Sequence, residues 1–264
     1  MRFEKKNIIG LMVFLSLTNL FGQSLTLETE DFLARTYIHE GTDLNYRILY
    51  PNNFDKNNKY PLFLFLHGAG ERGDDNKKQL IHGSKLFKDK IDQYPAIVVI
   101  PQCPSNDYWA NVNREETPNG LKFEFFDDRP YNPSLKAVVS LIDSLLAEKF
   151  IDDKRFYISG LSMGGMGVWE LLRKIPDKIA AAAPICGGGS PKAASKMINI
   201  PIWALHGIKD TTVPFRHSVA MVLAVQGKGG KAKITLYPNA NHNSWDPTFD
   251  DPDYLKWFFE KKRD

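Results

Sequence analysis

The chain has 264 residues, of which 43% are hydrophobic and 25% are charged, and its formal net charge is +3. This length and composition suit one α/β domain with a full hydrophobic core. The near balance of charge gives no basis for binding nucleic acid or an anionic surface. There is no HExxH motif, phosphate-binding loop or dinucleotide fingerprint, so no metal and no cofactor is expected.

The N-terminus has the pattern of an export signal. A basic start at residues 2–6 precedes the apolar run 8–17, and a small residue, Gly22, follows. We interpret residues 1–22 as a cleavable signal peptide and 23–264 as the mature domain, exported to the periplasm or the medium. The alternative is an N-terminal membrane anchor, but the apolar run is short for a bilayer, so no stable anchor is expected.

Strands and helices alternate along the rest of the chain. The apolar patterns predict strands at 32–39, 44–50, 61–66, 96–100, 156–158, 180–185, 202–205 and 233–237. They predict helices at 135–150, after Ser162, at about 214–226 and from Asp251 to the C-terminus, with Ser134 capping the first of these. This alternation predicts a mostly parallel sheet with helices on both faces.

A serine motif lies between the 156–158 strand and the following helix. Gly160, Ser162 and Gly164 form G-x-S-x-G, the pattern of a nucleophile elbow, in which a strained turn lifts the serine hydroxyl above the sheet. Side chains at the two glycines would collide with the neighbouring strand and helix. Gly165 and Gly167 are expected to let the helix lie close to the strands. The alternative is a purely structural turn.

Five short motifs follow one another along the chain: HGAGERG, PQCP, GLSMGGMG, HGIKDTTVP and NHNSW. In this order they resemble the α/β-hydrolase superfamily. Within it the chain is similar to secreted esterases related to feruloyl esterases and polyhydroxybutyrate depolymerases, often labelled phospholipase/carboxylesterase. The resemblance covers roughly residues 30–262.

A serine nucleophile needs a base, and in this fold the base lies in a loop after the last strand. His242 occupies that loop. His67 and His206 end buried strands and are interpreted as structural residues, and His217 lies inside a predicted helix.

The resemblance places the triad acid at Asp210, after the penultimate strand. The alternative role of Asp210 is to cap the helix that begins near Pro214. Asp246 is the second candidate for the acid, although it lies on the same loop as His242.

The loop after the 61–66 strand is expected to complete an oxyanion hole. One donor would be the N–H of Met163, and the other that of Ala69, with Gly70 second. Glu71 and Arg72 are interpreted as a local ion pair that shapes this loop, with substrate contact as the alternative.

Two loop aromatics, Trp245 and Trp109, are candidates for lining the substrate site, the alternative being that each packs its own loop. No large lid domain is expected, because only residues 187–199 separate the strands where lids are commonly inserted. The polar stretch 102–133 is the longest irregular segment and is expected to edge an open cleft.

The two cysteines, Cys103 and Cys186, follow strands that would lie three positions apart in the sheet, roughly 14 Å at strand spacing. A disulfide needs Cα atoms within about 7 Å, so two free, buried thiols are favoured, although loops leave pairing open.

These features predict a secreted serine carboxylesterase that acts on an ester substrate such as the feruloyl or acetyl decorations of polysaccharides. Three alternatives remain open: a prolyl-oligopeptidase-like peptidase, an acyltransferase, and a catalytically silent binding protein. The sequence sets neither the acyl group, the alcohol nor the oligomeric state.

Overall fold

A computed structural model describes residues 31–118 and 120–264. The predicted signal peptide, residues 1–22, therefore lies outside the described residues. Within the described ranges, no helix combines the length and the apolar character needed to cross a membrane.

A mostly parallel sheet forms the centre of the molecule. Its eight strands are β1 Leu33–His39, β2 Thr42–Leu49, β3 Tyr60–Leu66, β4 Ile97–Pro101, β7 Ile151–Leu161, β8 Ala181–Ile185, β9 Ile202–Gly207 and β10 Ala232–Tyr237. Their order across the sheet is β1-β2-β4-β3-β7-β8-β9-β10. Only the β1–β2 and β2–β4 pairs are antiparallel in this sheet. Because parallel strands end at the same edge, the loops after β3, β7, β9 and β10 meet there.

Helices cover both faces of the sheet. They are α1 Ser84–Lys90, α2 Pro133–Leu146, α3 Met163–Lys174, α4 Arg216–Gln226, α5 Trp245–Asp250 and α6 Asp253–Phe259. On β3, Leu62 and Leu64 pack into the cluster that holds α2, α3 and α4, while Phe63 and Phe65 pack into the cluster that holds α1 and α6. Alternate side chains of a strand point to opposite faces, so β3 is apolar throughout its length. The predicted α/β fold is confirmed.

The stretch between β4 and α2 differs from the sequence expectation. It is not irregular throughout, because β5 Val112–Thr117 and β6 Gly120–Phe125 pair as an antiparallel hairpin. The hairpin packs through Phe123 against Met166 and Val213. It therefore lies beside the start of α3, and no larger lid is inserted among the described residues.

The structure also differs from two local predictions at helix ends. Ser134 does not cap α2: it lies inside the helix, and its N–H donates to Asp107 Oδ2 at 2.8 Å. The region after His242 is not a plain loop but continues into the short helix α5.

The prediction for the cysteines is confirmed, since Cys103 and Cys186 are both free and buried.

Candidate active site

Ser162 occupies the sharp turn between β7 and α3. Its φ of 54° lies in the left-handed region that non-glycine residues rarely adopt. A Cβ at Gly164 would lie 1.9 Å from the carbonyl oxygen of Leu66, and one at Gly160 would lie 2.7 Å from the same oxygen. The elbow therefore sits directly on the end of β3, and the predicted reason for both glycines is confirmed. Gly165 and Gly167 are equally crowded, by Ile185 O and by Trp109.

Three predicted side chains form a continuous chain of hydrogen bonds. His242 Nε2 lies 2.9 Å from Ser162 Oγ, and His242 Nδ1 lies 2.8 Å from Asp210 Oδ2. Ser162 and His242 are partly exposed, whereas Asp210 is buried. The nucleophile and the base are thus open to a ligand, while the carboxylate is shielded from water.

The Asp210 carboxylate accepts four hydrogen bonds. Its Oδ1 accepts the N–H groups of Thr212 and Val213, each at 2.9 Å. Its Oδ2 accepts from His242 and, at 3.1 Å, from His206 Nε2. Burial by itself would raise the pKa of Asp210, but the hydrogen bonds from both histidines and the charge of His242 outweigh it and lower that pKa. Asp210 is therefore ionised at neutral pH.

The loops that carry the acid and the base are packed against each other. A Cβ at Gly207, the last residue of β9, would lie 2.4 Å from the carbonyl oxygen of Ala240. The Lys209 N–H also donates to that oxygen, at 3.1 Å. This close backbone approach fixes the separation between Asp210 and His242.

The loop after β3 passes beside the nucleophile. Gly68 is so close to the elbow that a Cβ there would lie 3.7 Å from Ser162 Cβ. A short 3₁₀ turn, Ala69–Glu71, follows immediately. Met163 is the first residue of α3, and the first amides of a helix have no partner within the helix and lie at its positive end. The predicted oxyanion donors, Met163, Ala69 and Gly70, therefore lie on the two segments that adjoin Ser162.

Glu71 and Arg72 do not pair with each other, so the predicted ion pair is wrong. Arg72 does shape the loop, since its Nε donates to Ala69 O at 3.0 Å and its Nη1 to Ser105 O at 3.1 Å. The Glu71 carboxylate instead lies 3.9 Å from His82 Nε2 and 4.0 Å from His67 Nδ1.

The two candidate tryptophans have different positions. Trp245 is partly exposed, and its ring centroid lies 5.5 Å from that of His242 and 5.1 Å from that of His82. Trp109 is fully buried and stacks edge-on against His67 at 5.5 Å. The expectation that Trp109 lines the cleft is therefore wrong, because its side chain fills the core beneath α3.

Three further histidines, His67, His206 and His217, have partners within the protein. His67 accepts the Cys103 N–H at Nε2, and burial lowers its pKa to about 4, so it is neutral. His217 packs edge-on against Phe123 and Phe125 of the hairpin. His206 is buried as predicted, but its contact with the triad acid was not foreseen. The only sequence signal for it is the four-residue spacing to Asp210.

One group of possible metal ligands occurs among residues 31–118 and 120–264. Ligand atoms of Cys186, Asp210 and His242 lie within 4.8 Å of one another. Asp210 and His242 are hydrogen-bonded to each other. Burial raises the pKa of Cys186, which keeps it a neutral thiol. We therefore assign these residues to the triad and its support, and assign no metal site.

A model of the dienelactone hydrolase family matches residues 113–248, just over half of the chain. The chain belongs to the dienelactone hydrolase family. The matched segment contains Ser162, Asp210 and His242. The loop after β3 precedes it.

Two curated relatives and one solved structure illustrate the similarity. The chain is 29% identical over 179 residues, 67% of its length, to the bifunctional acetylxylan esterase/xylanase XynS20E of Neocallimastix patriciarum. It is 24% identical over 216 residues to a probable feruloyl esterase C of Aspergillus niger, covering 80% of the chain and 72% of the relative. The crystal structure of a thermostable esterase superposes with a TM-score of 0.78 at 36% identity, covering 90% of the chain.

The chain is shorter than several of these proteins. It spans 23% of the length of the bifunctional relative and 64% of the thermostable esterase. Peptidases occur among the relatives as well: a probable dipeptidyl-peptidase 5 of Aspergillus terreus is 21% identical, and the chain covers 33% of its length.

Proposed function

We propose that the protein is a serine hydrolase of carboxylic esters. The observation that supports this most directly is the connected Ser162–His242–Asp210 set, with contacts of 2.9 and 2.8 Å, on a strained elbow. A serine hydroxyl becomes a useful nucleophile only with a base in hydrogen-bond reach and a carboxylate that orients the base.

The proton positions follow from the contacts. Ionised Asp210 accepts the Nδ1–H of His242, which leaves the Nε2 lone pair directed at Ser162 Oγ. Oγ attacks the ester carbonyl while Nε2 takes its proton, and the same proton then goes to the leaving alcohol. Water then attacks the acyl-enzyme while Nε2 takes one of its protons. The bond between the acyl carbon and Oγ breaks, that proton goes to Oγ, and the carboxylic acid is released.

Negative charge develops on the carbonyl oxygen during both steps. We assign its stabilisation to the N–H of Met163 and to the loop amides of Ala69 and Gly70. The N-terminus of α3 adds a positive partial charge at the same point.

The preferred substrate is an acetyl or feruloyl ester carried by a polysaccharide. The similarity to an acetylxylan esterase/xylanase and to a probable feruloyl esterase supports this choice. A groove of about 520 Å³ is lined in part by Trp245, the aromatic neighbour of His242. Its lining also includes Lys85, Asp89 and Asp246, so the groove combines an aromatic surface with polar groups. Ligand sites in general combine an aromatic or apolar lining with a few polar groups that fix the orientation of the ligand.

Export is part of the proposal and is supported by the basic start and the apolar run of residues 2–17. A relative described as a secreted protein, from Arthroderma benhamiae, agrees with it.

A panel of three substrates tests the reaction class. Purified protein is compared with Ser162→Ala on p-nitrophenyl acetate, methyl ferulate and a prolyl p-nitroanilide. We expect turnover of both esters, lost in the variant, and no anilide cleavage. Anilide cleavage would replace the esterase by a peptidase. Turnover that persists in Ser162→Ala would remove the assigned nucleophile, and turnover of none of the three would contradict the esterase assignment.

A further inference from the structure

His206 has an unusual set of hydrogen-bond partners. Its side chain is fully buried at the end of β9. Nε2 lies 3.1 Å from Asp210 Oδ2 and 2.8 Å from the carbonyl oxygen of Val213. On the other side of the ring, Nδ1 lies 2.8 Å from Ser218 Oγ on α4.

Counting protons fixes the state of the ring. Both partners of Nε2 are acceptors, so Nε2 carries a hydrogen. Ser218 Oγ lies 2.6 Å from the carbonyl oxygen of Gly187, a distance that two oxygens tolerate only with a hydrogen between them. Ser218 has one hydrogen, and it is used there. Nδ1 must then donate its own hydrogen to Ser218 Oγ.

We infer that His206 is held as a positively charged imidazolium that shares the Asp210 carboxylate with the base His242. His206 is thus a positioning residue, and it acts on the reaction through Asp210. The inferred effect on catalysis rests on the proposed function, whereas the proton count does not.

The surroundings identify Asp210 as the counter-ion. Asp210 is the acidic group in contact with the ring, from the loop after β9. Cys186, the first residue after β8, is kept a neutral thiol by burial. His217, from α4, has its pKa lowered by burial, then by Arg216 and by His206, which keeps it neutral. His242 contacts the same carboxylate oxygen from the loop after β10.

This arrangement has a consequence for the base. A positive charge next to Asp210 offsets part of the negative charge that stabilises protonated His242. It therefore weakens the electrostatic stabilisation that Asp210 gives to His242 when that ring takes the proton of Ser162. Removing that charge should move the acid limb of the kcat/KM profile to higher pH.

Ser218→Ala is the most direct perturbation. It removes the acceptor of the Nδ1 hydrogen and leaves the Nε2 contacts to Asp210 and Val213 intact. The measurement is the kcat/KM profile against pH with p-nitrophenyl acetate. We expect the midpoint of its acid limb to move to higher pH by about one unit, the usual scale for a charge at this range. Ser218→Thr, which keeps the hydroxyl, should restore the original limb.

Ser159→Ala is the matched control. Ser159 is also fully buried and donates to a backbone carbonyl, that of Ala183, at 2.6 Å. It does not contact Asp210 or His242. We expect its acid limb to match that of the unaltered protein. A limb that stays in place in Ser218→Ala, or that moves equally in Ser159→Ala, would overturn the assigned effect on catalysis.

Nitrogen NMR of the unaltered protein tests the charge without any activity. With ¹⁵N-labelled histidine at neutral pH, and His206→Gln to assign the signals, both ring nitrogens of His206 should appear protonated. Ser218→Ala should convert Nδ1 to an unprotonated nitrogen. An unprotonated Nδ1 in the unaltered protein would refute the imidazolium, even if the protein hydrolysed no ester.

Discussion

Replacing Asp210 by asparagine tests the assignment of the acid, because an amide cannot satisfy the partners of this carboxylate. All four groups around it donate: the N–H of Thr212 and Val213 on one side, His206 and His242 on the other. Whichever way the amide is turned, its NH₂ group faces two donors. The less costly arrangement turns NH₂ towards the rings, where His242 Nδ1 becomes an acceptor. The hydrogen then sits on Nε2, facing Ser162, and the base cannot accept a proton.

The electrostatic loss can be estimated from the geometry. The carboxylate oxygen and His242 Nδ1 are 2.8 Å apart, and Asp210 is buried. Charge centres about 4 Å apart interact by about 4 kcal/mol at an effective dielectric constant of 20. At 1.36 kcal/mol per factor of ten, the loss corresponds to about 10³ in rate. We expect kcat/KM of Asp210→Asn to fall by at least about this factor, chiefly in kcat.

Asp246→Asn is the control, since Asp246 is the second candidate for the acid. Asp246 is exposed and accepts a hydrogen bond from Asn243 Nδ2 at 2.8 Å. Steady-state hydrolysis of p-nitrophenyl acetate is measured for both variants, with circular dichroism to check folding. The reasoning fails if folded Asp210→Asn keeps more than a tenth of the activity, or if Asp246→Asn loses more than Asp210→Asn does.

Three further results are expected. Gly164→Ala should unfold the protein or lower its Tm sharply, because the new Cβ meets a backbone oxygen at 1.9 Å, whereas Gly70→Ala, with open space, should change Tm little. A Gly164→Ala protein with an unchanged Tm would contradict the packing of the elbow. Trp245→Ala should raise KM for acetylated xylan more than for p-nitrophenyl acetate, and an equal change in both would remove the groove from substrate binding. Thiol reagents should leave Cys103 and Cys186 unmodified in the native protein and modify both after denaturation, as their complete burial requires; rapid modification of the native protein would contradict that burial.

The sequence by itself determined the elements that depend on local pattern. Continuous apolar runs predicted strands such as β3 and β4, because a strand buried on both faces leaves no room for polar side chains. G-x-S-x-G predicted the elbow, since only glycine fits at positions 160 and 164, two residues before and two residues after Ser162. The order of motifs further suggested Asp210 and His242, which the fold brings to within hydrogen-bond distance of each other.

Tertiary structure alone decided the features that depend on contacts between distant segments. The strands of the 112–125 hairpin are mostly polar and exposed. Because only a few of their side chains pack against α3 and α4, the sequence shows only weak hydrophobic periodicity there. The sequence around Trp109 predicts an exposed aromatic residue in a loop. In the structure α3 crosses over this side chain and places it in the core. The shared carboxylate arises because two strand-end loops and α4 meet at one point. His206 then lies between Asp210 and Ser218, and the four-residue spacing to Asp210 is the only trace of this arrangement in the sequence.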